Sequence, residues 1–141
     1  MSRAPAGAAK VTGSRTPTLF LRLEFGGTDR IGPGKVALLE AIVREGSISA
    51  AARAMGMSYR RAWLLIDTMN RMFREPVVLA RPGRGSGPST ELTPFGNAVV
   101  ARFREAEAAA DRACKPLVDT LVAGLKTSYR PPRARRERNQ G

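Results

Sequence analysis

Residues 46–58 leave a folding chain few options. Gly46-Ser47 opens the stretch and Gly56-Met57-Ser58 closes it. Between them lies Ile48-Ser49-Ala50-Ala51-Ala52-Arg53-Ala54-Met55, four alanines in eight residues. Serine at position 47 caps a helix by accepting a backbone N–H bond in its first turn. Gly56 supplies the left-handed backbone conformation that ends a helix and turns the chain tightly. The segment therefore reads as a short helix over Ile48–Met55, a tight turn, and a second N-cap at Ser58. A helix this short has no stability of its own, but its small side chains allow close packing on the next element. That element is a third helix running to about Phe73, with Ala62, Leu65, Ile66, Met69 and Phe73 on one face. Pro76 ends the helical region.

The flanking segments can be read in the same way. Leu19, Leu21, Leu23 and Phe25 alternate with Phe20, Arg22 and Glu24, the period of a half-buried strand, and Gly26-Gly27 ends it. Pro33 stands at a helix start, and Val36, Leu39, Ile42 and Val43 recur at helical spacing up to Gly46. Val77-Val78-Leu79 begins a strand. The Gly-rich loop from Arg81 to Ser89 separates it from a return strand around Thr90–Leu92. Thr93-Pro94 is an N-cap followed by proline at the first helical position. It opens a long helix reaching Ala113 or beyond. Pro116 lacks an N–H and is expected to kink or end that helix near Lys115, leaving Leu117 to Leu125 as a separate short helix. Val99, Phe103, Ala106, Ala110, Ala113 and Leu117 follow spacings of 4, 3, 4, 3 and 4, a seam of the kind that joins helices. The seam serves either to join two copies of the chain or to pack on its own domain.

Charge narrows the function. The 141 residues carry 24 Lys and Arg against 12 Asp and Glu, a net charge of +12. Residues 1–21 hold Arg3, Lys10 and Arg15 with no acid, and residues 126–141 hold six basic residues against Glu137. Most of the excess therefore lies in segments without an apolar period, too poor in apolar surface to offset their ordering entropy. There it acts either as nonspecific attraction for phosphate or as a solvated tail. Inside the body, residues 53–84 contain seven arginines against Asp67 and Glu75, and the rest is close to neutral. A polyanion is the expected large partner.

The same inventory excludes much. Without histidine there is no Ser-His-Asp triad, Cys-His dyad or His-ligated zinc site. The single Cys114 cannot close an intrachain disulfide and is read as a small packing residue. No apolar run approaches the ~20 residues of a spanning helix, and no signal-peptide core stands at the N-terminus. The Gly-rich loop lacks the Gly-Lys-Ser/Thr ending of a P-loop. No enzymatic activity, catalytic residue, metal site or cofactor is expected, and no membrane partner.

A helix, a short Ala-rich helix, a glycine turn, a third helix and a Gly-rich hairpin form a winged helix-turn-helix. The expected fold is mainly α with a small β component, that winged unit carrying a long C-terminal dimerisation helix. Residues 1–17 are an N-terminal tail and 18–93 the DNA-binding domain. Residues 94–125 are the dimerisation region, and 126–141 a basic C-terminal tail. In this architecture the first turn of the third helix meets base edges in the major groove, and arginine's planar fork matches guanine. The wing lies along the neighbouring backbone or minor groove, its glycines letting backbone N–H groups approach phosphates. The DNA-contacting residues are Ser47, Ser49, Ser58, Tyr59, Arg60, Arg61, Arg81, Arg84, Gly85 and Ser86. The dimer contacts are Leu19, Leu21, Leu23, Val99, Phe103, Ala106, Ala110, Ala113 and Leu117. Trp63 is read as a partly buried support for Tyr59 and Arg60, while Arg44, Arg102, Arg104 and Arg112 are read as solvated or paired.

Specific motifs go further. Gly34-Lys35-Val36-Ala37-Leu38-Leu39-Glu40-Ala41-Ile42, Gly46-Ser47-Ile48-Ser49, Met57-Ser58-Tyr59-Arg60-Arg61-Ala62-Trp63 and Met69-Asn70 together resemble the N-terminal DNA-binding domain of ModE-type molybdate-responsive regulators. Leu92-Thr93-Pro94-Phe95-Gly96 after the wing fits the same pattern. The resemblance covers roughly residues 18–123, and its Gly-Ser-Ile-Ser block is shared more loosely with LysR-type regulators. It implies a bacterial-type, cytoplasmic, nucleoid-associated homodimer that binds double-stranded DNA at a two-fold site and regulates transcription. Such regulators carry C-terminal oxyanion-binding domains. The stretch after Leu121 is too short for one, so direct molybdate binding is not expected of this chain. Two other readings stay open: an architectural binder acting through its tails, and a module serving a separately encoded sensor or transcription protein.

Overall fold

The computed structural model describes residues 17–81, 89–130 and 132. In chain order the elements are β1 (Leu23–Glu24), β2 (Arg30–Ile31), α1 (Pro33–Glu45), α2 (Ile48–Ala54), α3 (Tyr59–Met72), β3 (Val78–Arg81), β4 (Ser89–Leu92) and α4 (Pro94–Ala123). Their boundaries follow local chemistry. Ser47 Oγ accepts from the Ala50 N–H at 3.1 Å, Ser58 Oγ from the Arg61 N–H at 3.1 Å, and Thr93 Oγ1 from the Gly96 N–H at 2.9 Å. Gly46 ends α1 at φ 81°, and Gly56 turns the chain between α2 and α3 at φ 67°. The expected helix starts and stops at these positions are all found.

α1 is the hub. It packs against α2, α3, α4 and β4, and so buries a wider arc than a surface helix. Val36, Leu38, Leu39, Ala41 and Ile42 are all fully buried. The expected stripe named Val43 and passed over Leu38. Val43 is 63% exposed, because one step beyond Ile42 turns it away from every neighbour. Ala51 and Ala52 of α2 and Ala62, Ile66 and Met69 of α3 complete the helical core with Ile31, Val77, Val78 and Phe103. The small side chains of α2 are what let it lie close against α1 and α3.

β3 and β4 form an antiparallel pair in the register Val78↔Leu92 to Arg81↔Ser89. One hydrogen bond ties the pair to the end of α1 and another extends its ladder to the N-cap of α4. The Thr90 N–H donates to the Gly46 carbonyl at 3.0 Å, and the Thr93 N–H donates to the Val77 carbonyl at 3.0 Å.

Four expectations change. The strand over Leu19–Phe25 shrinks to Leu23–Glu24, which pairs with Arg30–Ile31 in a hairpin turned by Gly26 and Gly27. The alternating apolar residues do not enter the core: Leu19 and Leu23 are exposed and Leu21 is half-buried. Phe25 instead makes an edge contact with Phe73, 6.2 Å between centroids, and Phe73 makes another with Phe95 at 5.2 Å. α4 runs through Pro116 to Ala123 without a break. Pro116 and Arg112 both lie on the exposed side of the helix, where water can take the place of the missing proline N–H, and the helix has turns on both sides to hold it. Finally, the α4 seam is divided. Phe103 is 3% exposed within the chain's own core and is therefore unavailable to a partner, with half-buried Val99 packed against that core. Ala106 and Ala110 are half-buried, Ala113 is exposed, and Leu117 is 70% exposed.

Candidate nucleic-acid interface

The glycine turn at Gly56 and the cap at Ser58 present the first turn of α3 to solvent. With 3.6 residues per turn, the buried ridge Ala62, Ile66 and Met69 puts Arg60 and Leu64 on the opposite side of α3. Arg61 and Trp63 flank the ridge, one on each side. Ser58, Tyr59, Arg60 and Arg61 are all exposed, Tyr59 at 54%. Among the described residues no acid lies within ion-pair distance of Arg60 or Arg61, whereas Arg71 further along α3 pairs with Asp67 at 3.1 Å. Charge without an internal partner is thus concentrated at the N-terminal end of the helix. At the start of α2, Ser49 is exposed and Ser47 half-buried at its cap.

The Ser58 cap holds this first turn in place. Ser58→Ala is expected to cost about 1 kcal/mol, the usual loss for an N-cap hydroxyl, read as a lower denaturation midpoint with unchanged slope.

The two flanks of α3 differ. On one, Trp63 lines a small cleft of about 160 Å³ with Ile48, Asn70, Val78, Ala80 and Thr90. Trp63 is 46% exposed, and its flank of α3 is the one that adjoins the wing strands. On the other flank, Arg61 borders a larger cavity shared with the start of α1 and the β1–β2 hairpin.

Asn70, which the sequence marked only within a family motif, fixes the wing to α3. Its side-chain oxygen accepts from the Val77 N–H at 2.8 Å and the Val78 N–H at 3.2 Å, and its amide donates to the Val78 carbonyl at 3.2 Å. One side chain thus replaces a strand neighbour for β3 and sets the wing's direction from α3. Arg81 belongs to β3. Arg84, Gly85 and Ser86 lie outside the described residues.

α4 is tied to the same unit. Arg104 donates to Glu40 of α1 at 2.5 Å and to Glu107 at 2.7 Å. The Glu40 bond raises the Arg104 pKa above its ordinary value, against the opposing effect of burial, and Glu107 adds to it. Arg44 and Arg102 pair with Glu45 and Glu105, so three of the four arginines read as solvated or paired have acid partners. Cys114 is a half-buried free thiol. Among the described residues no helix is long and apolar enough to cross a membrane.

A short helix set against α1, a left-handed glycine turn, an exposed and capped third helix and a two-stranded wing define a winged helix-turn-helix. Residues 34–97 match the family described as bacterial regulatory helix-turn-helix protein, lysR family. Within that class the chain resembles the N-terminal part of ModE-type regulators. It is 41% identical over 93 residues to the molybdenum-pterin-binding protein MopA of Rhodobacter capsulatus, covering 66% of this chain and 35% of that protein. It is 44% identical over 100 residues to the molybdenum transport protein ModE of Azotobacter vinelandii, covering 68% of this chain and 37% of the relative. It is 34% identical over 68 residues to the DNA-binding transcriptional dual regulator ModE of Escherichia coli K12, covering 48% and 26%. The chain thus spans about a third of the length of the curated relatives it matches.

Proposed function

We propose that this protein is a sequence-specific DNA-binding regulator of transcription, with no enzymatic activity, working in the bacterial cytoplasm. It acts as a homodimer on a two-fold site, with α3 in the major groove and the wing on the flanking backbone or minor groove. The observation that carries this reading is the first turn of α3, where Arg60 and Arg61 stand exposed and uncompensated above a helix whose opposite face is buried. Such arginines suit the paired acceptors of guanine, with Ser58 and Tyr59 beside them. Ser47 and Ser49 at the start of α2, and Arg81, Arg84, Gly85 and Ser86 of the wing, supply backbone contacts that set the register. The resemblance to regulators, one of them DNA-binding by name, supports the same assignment. The reading needs no cofactor.

Exposed apolar surface supports the homodimer. Leu117 and Leu121 of α4 are each 70% exposed, and Leu19 and Leu23 of the N-terminal segment are also exposed. Ala106, Ala110 and Ala113 between them leave room for a second helix to approach. Replacing both Leu117 and Leu121 by glutamate should shift the protein toward monomer in sedimentation equilibrium while leaving its helical content unchanged. An unaltered dimer would move the interface elsewhere.

Selection of bound sequences from a random duplex pool tests the whole reading. A consensus with two-fold symmetry and half-sites about 34 Å apart, or a multiple of that, is expected. A pool that yields no consensus would point to an architectural binder.

A further inference from the structure

Residues 22–52 hold Arg22, Arg30, Lys35 and Arg44 against Glu24, Asp29, Glu40 and Glu45, and so look electrically neutral along the chain. The fold separates these charges. Glu40 is drawn to Arg104 on α4, and Glu45 lies beside Arg44. Arg22, Arg30 and Lys35 instead converge with Arg61 of α3 around one open cavity of about 500 Å³. Phe20, the Gly32–Lys35 start of α1 and the Met55–Met57 turn complete its wall. Two acids lie close to these four cations: Glu24, paired with Arg22 at 2.7 Å, and Asp29, which acts on Lys35. The balance is positive.

Further features of the cavity suit an anion. Lys35 Nζ donates one hydrogen bond, to the Arg30 carbonyl at 2.6 Å, which leaves the ammonium's other protons for a ligand. Burial lowers the Lys35 pKa and the charge of Arg30 lowers it further, while Asp29 opposes. An anion between Lys35 and Arg30 would relieve that repulsion. The α1 N-cap, Gly32, makes no side-chain cap bond, so the first-turn amides of α1 add their partial positive charge.

We propose that the cavity formed by Arg22, Arg30, Lys35 and Arg61 is a phosphate-binding site, and that in the DNA complex it holds a backbone phosphodiester beside the bases read by α3. The part concerning DNA rests on the proposed function. The phosphate chemistry does not, since free inorganic phosphate would be held by the same groups. Arg61 links the two roles, lying both in the exposed first turn of α3 and on the cavity rim. The phosphodiester would fix α3 in the groove from the flank opposite the wing.

The test uses Arg22→Gln, Arg30→Gln and the double variant in the full chain, with circular dichroism to establish folding. Arg22→Gln removes an exposed ion pair with Glu24 but keeps the Cβ and Cγ that lie beside Gly32, and so serves as the second, structurally milder substitution. DNA affinity is measured for the selected site and an unrelated duplex across a salt series, and inorganic phosphate is titrated by amide NMR. The expected result is a several-fold loss shared equally by both duplexes. The slope of log affinity on log salt should become shallower by about 0.9 for each phosphate that the variant no longer neutralises. Phosphate should give saturable shifts at Gly34 and Lys35 in the parent protein that vanish in the double variant. Those shifts without DNA binding by the parent protein would uphold the phosphate site with a free anion as its source, and remove the DNA reading alone. Variants that bind DNA with unchanged affinity and slope, together with no saturable phosphate shift, would overturn the proposal. A loss confined to the selected site at unchanged slope would overturn it too.

Discussion

Gly96→Ala is expected to destabilise the protein by about 3 kcal/mol or more, beyond the usual range for one extra core methyl. Alanine in place of glycine inside a helix ordinarily gains about 1 kcal/mol, so the sign itself is diagnostic. Gly96 lies in the first turn of α4, buried, and a Cβ there would stand 2.1 Å from the Val77 carbonyl oxygen and 3.0 Å from its carbon. The obstacle is backbone and has no rotamer by which to yield. That same carbonyl accepts from the Thr93 N–H at 3.0 Å, and Thr93 Oγ1 donates to the Pro76 carbonyl at 2.7 Å. Making room therefore means pulling α4 from the chain entering β3 and breaking the junction that orients the wing. For a folded unit of this size the melting temperature should fall by on the order of 10–20 °C. Gly34→Ala is the control: a Cβ there meets nothing within 4 Å, so its melting temperature should hold or rise. A stable Gly96→Ala protein would mean that α4 and β3 do not meet as described.

Arg60→Ala and Arg61→Ala carry the largest expected effect on binding. An arginine bidentate to guanine contributes about 1–3 kcal/mol of discrimination. If both read bases, the double variant should lose between about thirtyfold and about ten-thousandfold in affinity for its selected site while keeping its stability, since both side chains are exposed. The two need not behave alike. Arg60 projects from the side of α3 opposite the core, where base edges would lie, so its loss should relax sequence preference at one position. Arg61 borders the cationic cavity, so its loss should weaken all sequences together and make the salt dependence shallower by about one phosphate. Unchanged specific affinity in both variants at fixed salt would show that α3 is not the reading helix.

Much of this interface is legible in the sequence because its signals are local. A serine before a helical run, a glycine after it and a proline at the first helical position each act within a few residues. Gly46, Ser47, Gly56, Ser58 and Thr93 therefore mark the boundaries of α1, α2, α3 and α4 without knowledge of the rest of the fold. The exposure of Arg60 and Arg61 follows equally directly, because the helical period that buries Ala62, Ile66 and Met69 leaves those arginines outside.

The hairpin of β1 and β2 is not visible in this way. Leu19 to Phe25 alternates as a strand would, but alternation reports a two-faced segment and is silent about which partner covers either face. Phe103 shows the same limit: the α4 spacing is that of a seam, and only the position of α1 draws Phe103 into the core while Leu117 is left uncovered. The break expected at Pro116 does not occur because the cost of proline depends on whether the freed carbonyl can reach water.

The order of the elements, their caps and the outward turn of α3 are thus written in residue types acting over one or two helical turns. The tertiary structure settled which apolar residues of α4 enter the core, how Asn70 aims the wing, and that Arg22, Arg30, Lys35 and Arg61 meet. Those outcomes depend on distances between residues far apart in the chain. Charge counted along the chain averages to neutrality where the fold sorts it, sending Glu40 to α4 and leaving the cations together at the start of α1.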